Sequence, residues 1–451
     1  MPSFHIISRK PWIIHCYNFG NVFSPVKQLA PYLLRPVEGR IHFVLTLNWS
    51  ILPKRKFDAF NRAYHRHAEK YPYQIVTVLA NEPKELEILR AHNIRSELCN
   101  QNAFLDERLY TIVNRGKRYN AIINSRMAPY KRIELVRNIR DCCLVTYFLD
   151  PQDSNYAKTI LPLSEEVTCA CPHLRFPQFD GTTWHRYDIK QLCDIYASSR
   201  CGLILSAEEG ACFAAAEYLL CGLPVVTTPS RGGREAFFHK DYVVWADPTP
   251  ESVAEAVKKA CELPISAQEI RERTIAHMQR VRGLYCDILN AIAREEGVER
   301  DFRKEWDSFF INKMHINMSE ADAVACLHEQ GLNVHYPILH RLHNGHKVFK
   351  AWLKGLKQTW RERERESIGA SDALLPMFPY ILHHNNNEHM LKEPLFRRAA
   401  LSVVHYSASA SGDDGSTWML TLPNPGRRRR NSSSRRVALR CASATVTSAS
   451  V

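Results

Sequence analysis

Two carboxylates, Glu209 and Glu217, flank a run of small apolar residues in "SAEEGACFAAAEYLLCGLPVV", Ser206 to Val226. Acidic residues near a helix start offset the positive end of the helix dipole, and a solvated carboxylate needs no further reason. The chemical alternative is that the pair accepts hydrogen bonds from hydroxyl groups of a bound ligand. The apolar run "CGLILSA" just upstream reads as a strand, so its carboxyl end would deliver Ser206 and Glu209 to that ligand. Gly210 permits a tight turn and a close backbone approach, and N–H groups at the following helix start can receive a diphosphate. Glu217, eight residues on, would reach a more distant part of the same ligand. The loop Ser230-Arg231-Gly232-Gly233 returns to the same strand-end side. A reading as glycosidase acid and base needs the carboxylates about 5–9.5 Å apart across one bond, a distance the spacing does not fix.

Upstream, "AIINSRMAPYKRIEL" places Arg126 and Lys131 after another strand. Read as the start of a helix, "KRIELVRNI" puts these cations where the dipole disfavours them, which favours a bound anion. The chain has no D-x-D, so no metal bridge to a diphosphate is expected. Cys169 and Cys171 form a C-x-C without a second pair at zinc-ligand spacing, so no metal site and no cofactor are expected. His185 and Arg186 read as loop residues.

Alternating strands and helices position these groups. "PWIIHCYNF" is a strand, Gly20 breaks it, and "SPVKQLAPYLL" has helical spacing. "RIHFVLTLNWS" and "YQIVTVLAN" are strands; "KFDAFNRAYHRHAEKYP" and "EPKELEILRAH" are helices. The pattern restarts near residue 115 with "RYNAIINSRM" and "CCLVTYFLD". Asp188 with Gln191, Thr249, and Ser266 with Glu269 mark helix starts. Such alternation predicts an α/β architecture with two parallel sheets, each covered by helices on both faces. Ligands sit at the carboxyl ends of the strands in such sheets, so two facing domains would meet at a cleft. The expected domains are a small one over residues 1–114, a donor-binding one over 115–310, a helical extension over 311–405, and a disordered basic tail over 406–451.

The segment "SAEEGACFAAAEYLLCGLPVVTTPSRGGREAF" resembles the donor site of the retaining GT-B glycosyltransferases called glycosyl transferase group 1. Their pattern S-x-x-E-G…E-A-x-x-x-G-x-P-V-V meets Ser206, Glu209, Gly210, Glu217, Gly222, Pro224 and Val225 in register. "SRMAPYK" is similar to the family's R-L-x-x-x-K, with Met127 in place of the usual Leu. The two blocks cover roughly Ala121 to Asp247. The resemblance implies two facing Rossmann-like doubly wound domains. It implies that Glu209 contacts the donor sugar, Glu217 the nucleotide ribose, and Arg126 and Lys131 the diphosphate. Gly20 would stand in the family's first glycine-bearing loop, near the donor phosphates. The implied activity is metal-independent, hexosyltransferase-like transfer of a sugar from a nucleotide-sugar donor to an acceptor hydroxyl. A setting in glycan, polysaccharide or glycolipid synthesis follows, with the leaving phosphate itself taking the acceptor's proton. The alternatives are a nucleotide-sugar epimerase on the same fold and an inactive nucleotide-sugar-binding protein. The N-terminal domain is shorter than the family's usual one.

Composition fits this reading. The formal net charge of +13 falls to +6 without the seven arginines of residues 427–451, so the body is only mildly basic. That suits an anionic substrate or membrane surface and gives no argument for specific nucleic-acid binding. Cysteines inside apolar runs look like free thiols of a reducing compartment. The N-terminal apolar run is broken by charge and proline, so the expected location is cytoplasmic. In "KVFKAWLKGLKQTW", Val348, Phe349, Trp352, Leu353, Leu356 and Trp360 share one helical face opposite lysines. That helix packs on the second domain or lies peripherally on an anionic membrane bearing a lipid-linked acceptor.

Overall fold

The computed structural model of the chain describes residues 2–18, 23–146, 161–180 and 185–334. All of them belong to the first of two compact units, residues 1–346. The helix expected at 347–360, the extension past 334 and the basic tail lie outside the described residues.

The first sheet opens with a hairpin that periodicity alone did not reveal. Strands β1 (Ser3–Arg9) and β2 (Trp12–Asn18) pair antiparallel. Lys10 and Pro11, which interrupt the apolar run, form the turn between them. The segment after β2 holds only a single turn, α1 (Val26–Leu29), and a 3₁₀ turn at Ala30–Tyr32. Strand β3 (Ile41–Leu47), helix α2 (Lys54–Lys70), strand β4 (Gln74–Ala80), helix α3 (Pro83–Ala91) and strand β5 (Ser96–Leu98) follow. Strands β2 to β5 run parallel.

The second sheet is wholly parallel. Its elements are β6 (Tyr119–Asn124), β7 (Cys142–Val145), α4 (Leu161–Ala170), β8 (Leu174–Arg175), α5 (Ile189–Ala197) and β9 (Ser199–Ile204). Then come α6 (Phe213–Leu220), β10 (Val225–Thr227), β11 (Val243–Trp245), α7 (Pro250–Cys261) and the long α8 (Ala267–Glu295). The spatial order is β11-β10-β9-β6-β7-β8. The winding direction therefore reverses between β6 and β9, and ligands bind at such a switch point. The helix starts read from sequence are present: Asp188 and Gln191 form a reciprocal capping box, and Thr249 and Ser266 each accept a backbone N–H.

Beyond the expected boundary at 310 the chain re-enters the first sheet. After α9 (Trp306–Phe309), strand β12 (Ile316–Asn317) pairs antiparallel with β1, and α10 (Glu320–Glu329) adds Ala323 and Leu327 to that sheet's core. The first sheet thus has six strands in the order β12-β1-β2-β3-β4-β5, a mixed sheet rather than the expected parallel one.

Both faces of each sheet are covered. On β3, Phe43 and Leu45 face one core with Phe57 and Phe60 of α2, while Val44 faces the other. That period-two split of a fully apolar strand is what burial on both faces requires. Helix α8 supplies the second layer, with Tyr285, Leu289 and Ile292 against Val44 and Leu79. Its earlier residues Ile270 and Met278 enter the core of the second sheet. One helix is therefore shared by both cores. Among the described residues no helix is long and apolar enough to cross a membrane.

Candidate functional site at the switch point of the second sheet

Strands β6 and β9 end side by side, and backbone hydrogen bonds bind the loops that follow them. Ala207 N donates to Tyr130 O at 2.8 Å, Arg231 N to Ala207 O at 3.1 Å, and Glu209 N to Arg231 O at 2.9 Å. Three loops, 125–132, 205–209 and 230–233, thereby share one strand-end surface.

The helix expected in "KRIELVRNI" is absent. Two 3₁₀ turns, Pro129–Lys131 and Ile133–Val136, replace it. Arg132 breaks the run by adopting a left-handed conformation, φ 51° and ψ 44°. Its guanidinium compensates with bonds to Leu205 O at 2.6 Å and to Thr228 Oγ1 and Pro229 O, each at 2.9 Å. The helix-dipole argument for a bound anion at Lys131 therefore falls away, and geometry supplies a different one. Lys131 Nζ lies against Glu209 Oε1, with side chains only 14% and 7% exposed. Ser206 Oγ donates to the same carboxylate oxygen at 2.5 Å. Burial alone would lower the Lys131 ammonium; the Glu209 charge and hydrogen bond outweigh it and hold it above its ordinary value. Arg126 is half-buried on the same loop.

Arg234 was not singled out from sequence, yet its side chain is fully buried. It donates to Ser206 O at 2.9 Å, to Ile204 O at 3.2 Å and to Thr228 O. The terminal nitrogens of this buried guanidinium thus bind oxygens at the end of β9 and in the loops after β9 and β10, which fixes those loops relative to each other.

Gly210 is required for a different reason than expected. Its φ is not left-handed, and the close approach is to the chain itself: a Cβ there would stand 2.4 Å from Asn48 O. Gly233 is matched likewise to Asn81 O, at 2.4 Å. The tight turn falls instead at Cys212, φ 58° and ψ 85°, the N-cap of α6. Loops after β3 and β4 thus pack on loops after β9 and β10. Glu208 fastens this seam, accepting from Trp49 Nε1 at 2.7 Å and Lys56 Nζ at 2.6 Å, with Arg231 Nη2 at 3.3 Å.

Glu217 is buried to the same extent as Glu209, on the second turn of α6. Its carboxylate accepts from Tyr196 OH at 2.9 Å, Tyr110 OH at 3.1 Å and Asn124 Nδ2 at 3.4 Å, with Lys313 Nζ at 3.5 Å. Burial, then the Glu217 charge, pushes both phenols up, so they keep their protons and donate. Lys313 caps the cluster from a left-handed position, φ 65°, and lies 4.7 Å over the Phe213 ring. Gly20 lies outside the described residues. His185 pairs with Asp180 at 2.7 Å on the surface, as a loop residue.

Among the described residues no three potential metal-ligating side chains converge. A cavity of about 370 Å³ beside Trp306 shares no lining residue with the switch-point site. Its guanidiniums are already engaged, Arg282 by Ala103 O, Leu105 O and Glu107, and Arg303 by Asp287. The convergence of three strand-end loops on a buried charged cluster makes the switch point the better candidate.

Residues 180–277 match a family model described as Glycosyl transferases group 1. The match includes Ser206, Glu209, Glu217 and Arg234 and stops short of Arg126 and Lys131. No curated protein matches the chain in sequence. Among solved structures, the chain is similar to Anabaena HepE in complex with UDP, at 16% identity and TM-score 0.43, over 56% of this chain and 72% of that one. A sucrose-phosphate synthase from Thermosynechococcus elongatus has 16% identity and TM-score 0.39, over 59% and 69%. A glycosyltransferase from Rickettsia africae has 15% identity and TM-score 0.39, over 56% and 71%.

Proposed function

We propose that this chain transfers a sugar from a nucleotide-sugar donor to an acceptor hydroxyl, with retention at the anomeric carbon and without a metal. The observation that carries this reading is the Lys131–Glu209–Ser206 cluster at the switch point of the second sheet, beside a matched glycosyl transferase segment. In the reaction the bond from the anomeric carbon to the diphosphate oxygen breaks, and the acceptor oxygen bonds to that carbon from the same face. The acceptor's proton passes to the departing phosphate. The diphosphate gains negative charge as it leaves, and Lys131 with Arg126 would hold it. In the ligand-free chain Glu209 keeps the Lys131 charge in place; with donor bound, Glu209 turns its acceptor capacity to the sugar hydroxyls. Glu217 would receive the ribose hydroxyls in exchange for Lys313 and Tyr110.

Titration calorimetry with UDP, GDP and ADP, followed by release assays on the matching nucleotide sugars, tests this. Binding of one diphosphate, and acceptor-dependent sugar transfer, is the expected result. Binding none of the three sinks the proposal. Interconversion of the sugar without an acceptor would make the chain an epimerase, and binding without turnover would make it a binding protein.

A further inference from the structure

The left-handed backbone at Cys212 stands between Glu209 and helix α6. A side chain there meets the carbonyl that follows it, so a non-glycine residue holds this conformation only when its surroundings impose it. Two backbone oxygens of this turn meet a side-chain donor from the other sheet's end. Asn102 Nδ2 donates to Ala211 O at 2.6 Å and to Cys212 O at 3.3 Å. Asn102 is fully buried and lies in the 3₁₀ turn Gln101–Phe104 that follows β5. It reaches the second sheet's loop from the end of the first sheet.

Asn102 is itself fixed. Its backbone N–H donates to Asn100 Oδ1 at 3.0 Å. Asn100 Nδ2 donates onward to Asn81 O at 3.0 Å and Gly233 O at 2.6 Å. Asn81 Nδ2 donates to Leu47 O at 2.7 Å. Three carboxamides therefore link the ends of β3 and β4 to the segments after β9 and β10, at Ala211, Cys212 and Gly233. Meanwhile Asn102 Oδ1 has no partner among the described residues. A buried acceptor left unpaired is costly, so stability alone gives a poor account of an asparagine here.

We propose that Asn102 is a positioning residue for donor binding: its carboxamide holds Cys212 in the left-handed turn, and so aims the first turn of α6 and Glu209 at the donor diphosphate and sugar. The consequence for binding rests on the glycosyltransferase reading; the mechanical part does not. The first N–H groups of a helix have no intrahelical acceptor, and their direction is set by the residue that turns the chain into the helix.

A double-mutant cycle between Asn102→Ala and Cys212→Gly tests it, because glycine adopts a left-handed turn without being held. The affinity for whichever of UDP, GDP and ADP binds the wild type is one readout. Loss of one such hydrogen-bonding group predicts about a tenfold weaker affinity for Asn102→Ala in the wild-type background. In the Cys212→Gly background the same change should cost less than about threefold. Amide hydrogen exchange over residues 210–214, measured without ligand, is the second readout. Asn102→Ala should speed it by about tenfold, and the double variant should return most of that protection. Equal penalties in the two backgrounds, or unchanged exchange in Asn102→Ala, overturn the proposal. Should Asn102→Ala fail to fold, recovery of folding in the double variant supports it, and failure there overturns it. A wild type that binds none of the three diphosphates but shows the exchange pattern removes the glycosyltransferase reading and leaves the latch intact.

Discussion

Lys131 and Glu209 neutralise each other at the switch point of the second sheet, with both side chains almost out of water. Removing one partner of a buried pair strands the other, which typically costs about 3–5 kcal/mol. Lys131→Ala should therefore lose stability as well as function. The double variant Lys131→Ala with Glu209→Gln should regain most of the stability, because no buried charge remains alone. It should not regain diphosphate affinity or turnover, each expected to fall on the order of 100-fold for one lost transition-state donor. Thermal melts and titration calorimetry separate the two effects. Diphosphate affinity unchanged in Lys131→Ala would remove this lysine from the site.

Glu209 and Glu217 are equally buried but differ in partners, so their amide variants should differ in kind. Glu209→Gln keeps the size and removes the charge facing Lys131. It should impair use of a nucleotide sugar about tenfold more than binding of the bare diphosphate. Tyr110 and Tyr196 donate to different oxygens of Glu217, so Glu217→Gln leaves a carbonyl for only one of them, and it should weaken the bare diphosphate as well, by about tenfold. Equal effects of both variants on melting temperature, with intact affinities, would return both carboxylates to structural roles.

Much of this site was legible in the sequence because its groups lie close to β6 and β9. Apolar runs mark the strands, and the polar residues just after them are carried to the strand ends. Ser206 and Glu209 stand out in that way, and Lys131 through the similarity of "SRMAPYK" to R-L-x-x-x-K. The helix misread at 131–139 shows the limit. Its apolar spacing is helical, but Arg132 gains three acceptors from loops about 73 to 97 residues away in sequence, and no local pattern encodes that. Gly210 shows the same limit. Its need for a missing Cβ comes from Asn48, in the loop after β3 of the other sheet. Asn102, Arg234 and Glu208 were not singled out because each acts on a partner that only the tertiary fold brings near.

Glu85 carries a pH dependence that owes nothing to the candidate chemistry. It is fully buried and accepts from Asn81 N at 3.0 Å and Ile51 N at 3.2 Å. Burial, against the pull of those N–H groups, pushes its carboxyl up to about 7. Between the ordinary value of 4.5 and about 7 the folded chain holds a proton that the unfolded chain has released. This group's contribution is therefore complete below pH 4.5 and is lost as pH rises to 7. The loss is on the order of 3 kcal/mol. Urea denaturation at pH 5, 6, 7 and 8 should show that fall, and Glu85→Gln should flatten it. A wild-type profile that rises steadily from pH 5 to 7 would contradict a protonated Glu85.

Glu208 joins the two sheets through side chains alone, which makes the seam testable without any ligand. Its carboxylate takes the Trp49 indole N–H and the Lys56 ammonium from the first sheet's side, and Arg231 from its own. Burial works against the charge, but Lys56 and Trp49 outweigh it and hold the carboxyl below its ordinary value. The contribution is thus present above about pH 4.5 and is lost as pH falls through the lower folded value. Lys56 is 43% exposed, so its ion pair is screened and adds little. The sheltered indole bond should dominate. Glu208→Ala and Trp49→Phe should each cost about 1 kcal/mol, and the double variant little more than either alone. The coupling should survive 0.5 M salt to the extent that the neutral indole, and not Lys56, supplies it. Urea midpoints of the four proteins at low and high salt measure this. Strict additivity would mean that Glu208 does not hold Trp49, and the seam would then rest on the backbone contacts at Gly210 and Gly233.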